Sequence, residues 1–198
     1  MKNFKILIIC FISFSSTYSY SATITNLEIE SNESKKEINL NIESKGSGSI
    51  KIRIWDKKKC LLDNDYEALN SFQKTIDLSS QSTGVYSLEI EDDFEVKSYH
   101  LIVSQNGAKV DESSLIQNYK PIFVFEENSK RLKVNWLMDT TDHPKVIILN
   151  NYGDLIFKRT FDKVFTFNKQ LDLRLYKPGK YTAIIKNSNY SYEYEINL

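Results

Sequence analysis

The chain has little of what most catalytic chemistry requires. Among its 198 residues there are two histidines and two cysteines. Acyl transfer needs a nucleophile, a base and an orienting acid in contact. Gly-x-Ser-x-Gly is absent, and Cys60 is distant in sequence from both His100 and His143. A metal pair from those two histidines would need two remote segments to converge with further ligands. Charge of one sign is also missing, since 26 Lys and Arg balance 26 Asp and Glu. No basic stripe exists to neutralise phosphates, which excludes a nucleic-acid partner. Helical periodicity is absent beyond a turn or two, which excludes a helical core.

Long apolar runs are lacking too, with one exception. Lys2 and Lys5 precede Ile6–Phe14, which is almost unbroken apolar sequence, and Ser19-Tyr20-Ser21-Ala22 then supplies small residues. This is the pattern of a secretory signal peptide, residues 1–22, cut after Ser21 or Ala22. The run falls short of the roughly 20 residues that span a bilayer, so no transmembrane segment is expected after cleavage. Removal takes two lysines and no acids, leaving 24 basic and 26 acidic residues and a net charge of −2. Cys10 leaves with the leader and Cys60 stays alone, so no intramolecular disulfide can form. Cys60 reads as a small buried hydrophobe, with a disulfide-linked dimer as the sharper alternative.

What the chain does have, it has twice. Residues 145–198 slide back by 95 positions onto 50–103 without a gap. Ile52 and Ile54 then meet Ile147 and Leu149, Phe72 meets Phe167, and Ile76-Asp77-Leu78 meets Leu171-Asp172-Leu173. A repeat of this length is a domain, since solenoid units run to roughly 20–50 residues. Period-two alternation dominates both copies: Ile38, Leu40, Ile42; Ile50, Ile52, Ile54; Tyr86, Leu88, Ile90; and in the second copy Leu132, Val134, Trp136 and Tyr181, Ala183, Ile185. Each run reads as a strand with one buried and one wet face. Asn151-Tyr152-Gly153-Asp154 is a hairpin turn in which Gly153 can take positive φ. The expected fold is all-β, two tandem immunoglobulin-like sandwiches of about seven strands each. The expected limits are 23–104 and 119–198, with the polar stretch 105–118 as a linker.

Gly84-Val85-Tyr86 and Gly179-Lys180-Tyr181 stand at the entry to the penultimate strand of each copy. In sandwiches a tyrosine there makes a corner, its ring packed inward and its hydroxyl bonded to the main chain. The second copy has Asn151, Gly153, Leu171-Asp172-Leu173, Pro178-Gly179 and Tyr181. The first has Asp77-Leu78, Gly84 and Tyr86. This pattern resembles the C-terminal sorting domain of the type IX secretion system, and related small Ig-like domains secreted by Bacteroidetes. Where such a domain opens with Asn-Pro, this chain has Lys120-Pro121, and its last strand ends Tyr194-Glu195-Ile196-Asn197-Leu198 without basic residues. The resemblance implies a surface or periplasmic protein and brings no catalytic residues.

Candidate contacts are therefore surfaces rather than reacting groups. Trp55 breaks the inward series of its strand and should face outward, where a flat ring suits a carbohydrate or peptide partner. Tyr152 at the hairpin tip and Tyr176 before the second corner are the other exposed aromatics. Val146 and Ile148 sit opposite the expected inward positions Ile147 and Leu149, giving an apolar outer face that either the other repeat or a partner should cover. Calcium could use Asp63-Asn64-Asp65 with Glu67, or Glu91-Asp92-Asp93, although neither has the spacing of a known loop. No cofactor is indicated. The expectation is a secreted, non-enzymatic binding or structural module of the periplasm, outer-membrane surface or extracellular space. A cargo sorted through the second copy, or a carbohydrate-binding module, is the alternative.

Overall fold

The computed structural model describes residues 21–57, 59–67 and 70–198; most of the expected signal peptide lies outside them. Among the described residues fifteen strands follow one another with no helix between them. Repeat 1 contains β1 (Thr23–Asn32), β2 (Glu37–Lys45), β3 (Ser49–Asp56), β4 (Lys59–Glu67), β5 (Ser71–Asp77), β6 (Gly84–Glu91) and β7 (Glu95–Val103). Then comes β8 (Ala108–Tyr119). Repeat 2 contains β9 (Ile122–Glu126), β10 (Arg131–Asp142), β11 (Lys145–Asn150), β12 (Leu155–Thr160), β13 (Val164–Asp172), β14 (Lys180–Lys186) and β15 (Ser191–Asn197).

Both repeats have the same connectivity. In repeat 2 the layers are β13-β10-β9 and β12-β11-β14-β15. In repeat 1 the matching groups are β5-β2-β1 and β4-β3-β6-β7, joined through β8 into one eight-stranded sheet. The join to β1 is narrow, a single pairing of Asn32 with Ala108, and the sheet folds over there. Ile38, Leu40 and Ile42 from one layer pack against Ile50, Ile52, Ile54, Leu88 and Ile90 from the other. Leu132, Val134, Trp136, Val146, Ile148, Phe167 and Ile185 make the second core. The protein is all-β, with sandwich-like layers built twice.

The repeats do not align without a gap. Ile52 pairs with Ile90 and Ile54 with Leu88, whereas Val146 pairs with Ile185 and Ile148 with Ala183. The second through third strands therefore correspond at a shift of 94, and the later strands at 95. The extra residue is in the hairpin: four residues separate the paired Trp55 and Cys60, and five separate Leu149 and Leu155. A slip of one residue exchanges the two faces of a strand. Val146 and Ile148, expected on an outer face, are each 1% exposed and belong to the core, while Ile147 and Leu149 point outward, half-buried.

The segment 105–118, expected as a linker, is mostly strand β8, antiparallel to β7. Its polar residues misled because the pairing breaks: Ser98 opposes Ile116, and His100 opposes Asp111. Residues 112–115 thus bulge out of the ladder, and Ser114 Oγ accepts the His100 amide at 2.7 Å. The same irregularity reverses the alternation of β7, so that Val96 joins Tyr99 and Leu101 in being buried. At the turn into β8, a Cβ on Gly107 would lie 2.2 Å from the Glu33 carbonyl oxygen. Only glycine lets the turn approach the β1–β2 hairpin so closely.

The two repeats meet where β8 ends. Trp136 Nε1 donates to the Tyr119 carbonyl at 2.8 Å, and Asn118 Nδ2 donates to Tyr190 Oη at 2.7 Å. Asn118 is buried, so this bond gives its amide a partner that water would otherwise supply.

Candidate functional site

The two corners are made identically. Tyr86 Oη donates to the Ser82 carbonyl and Tyr181 Oη to the Lys177 carbonyl, each at 2.8 Å and each four residues back. Both rings are buried. Gly84 and Gly179 precede them, and their role is architectural.

Trp55 faces outward on β3, yet it is half-buried and its Nε1 donates to Glu89 Oε2 at 2.7 Å. It belongs to a charged band across β4, β3 and β6. Arg53 reaches Asp63 at 3.5 Å and Glu89 at 3.3 Å, and it contacts Glu91. Lys120, at the end of β8, bonds Glu91 at 2.6 Å. Burial works against ionisation of Glu91, but Lys120 and Arg53 outweigh it and hold its carboxyl below the usual range. Trp55 is thus the rim of an ion-pair network, with its indole N–H already engaged. Tyr152 stands free at the hairpin tip, 83% exposed. Tyr176 is half-buried beside Tyr181, their ring centroids 6.1 Å apart.

The acidic loops hold main chain. Asp92 is buried and accepts the amides of Ile24, Phe94 and Glu95 at 2.8–2.9 Å. Asp93 accepts the amide of Ala22 at 2.7 Å. Asp63, Asn64 and Asp65 lie within β4 rather than in a loop, so neighbours point to opposite faces. Among the described residues no group of three or more His, Cys, Asp or Glu could hold a metal ion. His100 and His143 are exposed, and His143 Nδ1 lies 3.1 Å from the Phe161 carbonyl oxygen. Cys60 is half-buried, its thiol 3.1 Å from the Leu62 carbonyl.

One concavity was not visible in the sequence. It opens between β12 and β13, edge strands of the two layers of repeat 2. One cavity of about 230 Å³ is lined by Phe157, Tyr176 and Leu173 among others. A second of about 350 Å³ shares Arg159, Phe161 and Lys169 with it, so the two form one groove. The Arg159 guanidinium lies 5.0 Å over the Phe161 ring, a cation–π contact that fixes its plane. Asp172 at the rim is bound by Arg174 at 2.5–3.0 Å, which brings its carboxyl down to about 2. Its charge is thereby matched; of the other charged residues lining the groove, Arg159 and Lys169 are cations and Asp162 is an acid. Repeat 1 has the same elements at the shift of 95. Tyr66 stacks on Phe72 at 5.2 Å and Lys74 covers Tyr66 at 5.6 Å. The signal that could have found the groove is this recurrence of two aromatics and a lysine, with Asn64 replaced by Arg159.

These features define a class, an all-β protein of two Ig-like sandwiches whose distinctive chemistry lies on faces and edges. Residues 32–105 match the family described as "Secretion system C-terminal sorting domain". The match covers β2 to β7 of repeat 1, so the resemblance, read from residues of both copies, is found on the first. No curated protein matches the chain. Solved structures similar to it include the following three. The BSP domain of a biofilm associated protein has 10% identity and a TM-score of 0.29, with 86% of this chain and 29% of that one covered. A two fibronectin type-III domain segment from chicken tenascin has 11% identity and a TM-score of 0.31, covering 88% and 99%. The 47-kilodalton lipoprotein of Treponema pallidum has 8% identity and a TM-score of 0.26, covering 93% and 53%. The chain thus spans under a third of the length of the first of these. Among the described residues no helix is long and apolar enough to cross a membrane.

Proposed function

We propose that the chain is an exported, non-enzymatic module of the cell envelope or outer surface, in which two joined sandwiches bind or scaffold a partner. The observation that carries this reading is the match of residues 32–105 to a secretion-system sorting domain, next to a leading segment with the n-region and apolar run of a signal peptide. A junction fastened by the Trp136–Tyr119 and Asn118–Tyr190 hydrogen bonds suits a spacer that displays surfaces. The test is fractionation of producing cells. Processed protein in the envelope or outside it supports export; full-length protein held in the cytoplasm overturns it. Removing residues 122–198, which leaves β8 whole, should leave export intact if repeat 1 carries the sorting information, and abolish it if repeat 2 does.

A second reading, a carbohydrate-binding module, is favoured by one feature, the groove of repeat 2. Phe157, Phe161 and Tyr176 offer apolar ring surface, and the two cations Arg159 and Lys169 outnumber the other lining acid, Asp162. That combination suits a sugar polymer bearing carboxylates. Titration with polygalacturonate, followed by calorimetry, should show saturable binding that the double change Arg159→Ala, Lys169→Ala weakens at least tenfold. Equal binding by both proteins would overturn the groove as its site.

A further inference from the structure

We propose that the chain is cut between Ser21 and Ala22, and that the amino group released there is captured by Asp93 as a structural ion pair. This rests on the export reading, since it needs a leader to be removed. The sequence leaves two scissile bonds open, after Ser21 and after Ala22, and the structure treats these residues very differently. Ser21 is exposed. Ala22 is fully buried, at 0% exposure. Its nitrogen donates to Asp93 Oδ2 at 2.7 Å, and its carbonyl accepts the Asp93 amide at 3.3 Å. Two residues later the Ile24 amide donates to the buried Asp92 carboxylate at 2.9 Å.

The niche is shaped to residue 22. Gly48 lies beside it, and a Cβ there would come within 2.9 Å of the Ala22 methyl and 2.5 Å of Asp93 Oδ2. The Asp93 carboxylate could swing aside, but the Ala22 methyl and its main-chain nitrogen, 3.0 Å from the same point, would have to shift. A cut after Ala22 would discard the residue that fills this space and leave the Asp93 carboxylate without its partner. A cut after Ser21 keeps both. The small residues Ser19 and Ser21 also stand at the two positions before that bond where a leader-removing peptidase needs them.

Hydrolysis breaks the bond from the Ser21 carbonyl carbon to the Ala22 nitrogen. Water supplies the oxygen that completes the Ser21 carboxylate, and the freed amine takes a proton. The amide N–H that now faces Asp93 becomes an ammonium with three N–H donors. A hydrogen bond between two ions is shorter and stronger than one between an amide and a carboxylate. The peptidase must act while the segment is extended, before Ala22 is buried. Folding then clamps the new terminus to the β6–β7 turn and beside the β2–β3 loop, so processing and the stability of repeat 1 are linked.

Intact mass and N-terminal sequencing of the exported protein give the first test. A chain beginning at Ala22 is expected. A first residue of Thr23, or any other internal residue, overturns this proposal and leaves export standing; a chain retaining Met1 overturns both. The second test compares Asp93→Asn with the unaltered protein in two forms, one beginning at Ala22 and one retaining Ser19-Tyr20-Ser21. The change should raise the unfolding equilibrium constant about three- to fivefold more in the form beginning at Ala22, the size of a partly exposed ion pair. Equal effects in the two forms would overturn the capture.

Discussion

The indole of Trp136 donates its hydrogen to the main-chain carbonyl of Tyr119 at 2.8 Å. Trp136 is a core residue of repeat 2, and Tyr119 is the last residue of the strand that closes repeat 1. One bond thus fastens the interior of one sandwich to the edge of the other. Trp136→Phe removes the donor and leaves the carbonyl without it, at a cost of about 1–2 kcal/mol. Urea unfolding should show that loss, and chymotrypsin should cut after Tyr119 faster than in the unaltered protein.

The matching corners make a paired test. Tyr86→Phe and Tyr181→Phe each delete one hydroxyl bond to a carbonyl four residues back. Each should cost about 1 kcal/mol. The corners lie in different sandwiches, so the double variant should lose the sum of the two within a few tenths of a kcal/mol. A double variant no worse than either single one would show that the second copy does not unfold with the first.

Gly107→Ala should be among the most damaging single changes. The added carbon would meet the Glu33 carbonyl oxygen at 2.2 Å and its carbon at 2.3 Å, both main-chain atoms. The turn and the β1–β2 hairpin would have to separate, breaking the Asn32–Ala108 pairing at the fold of the sheet. A loss above about 2 kcal/mol follows, read as a lowered melting temperature. At Gly153 a Cβ would meet nothing within 4 Å, so the same change there costs only the strain of its positive φ of 83°.

Glu91 sets a pH dependence. Burial opposes its charge, but Lys120 and Arg53 prevail, and its folded pKa lies below the unfolded value of about 4.3. A depressed carboxylate contributes stability that is present above the unfolded pKa and lost as pH falls through the folded one. Glu91→Gln should therefore cost about 1 kcal/mol near neutral pH, after allowance for solvent screening. The difference from the unaltered protein should shrink steadily below about pH 4. A constant difference from pH 7 to pH 3 would assign the effect to shape rather than charge.

Much of this fold is legible in the residues because alternation survives wherever a strand is regular. Ile38, Leu40 and Ile42 announce β2, and Gly84-Val85-Tyr86 announces β6. Reading failed where the count along the chain departs from the count across the sheet. The additional residue between Leu149 and Leu155 exchanges the faces of β11 relative to a gapless alignment, which sets Val146 and Ile148 outward where the structure buries them. The bulge at 112–115 hid β8, because four residues that oppose a single partner cannot alternate. The groove beside Arg159 was hidden for a different reason. Its walls come from two edges of two layers, and no local pattern marks that proximity. Trp55 was placed on the correct face, but its engagement by Glu89 depends on a neighbouring strand 34 positions away.

The hairpin carrying Tyr152 has a practical use that follows from its history in the two copies. One copy spans it with four residues and the other with five, and both sandwiches close around the same layers. The fold has therefore already absorbed a change of length at this point without disturbing the strands beyond it. Exposed tips of this kind accept foreign sequence more readily than any strand. A short epitope or a fluorophore-acceptor peptide spliced next to Tyr152 would give the protein a handle for imaging on intact cells, with β11 and β12 left in register beneath it.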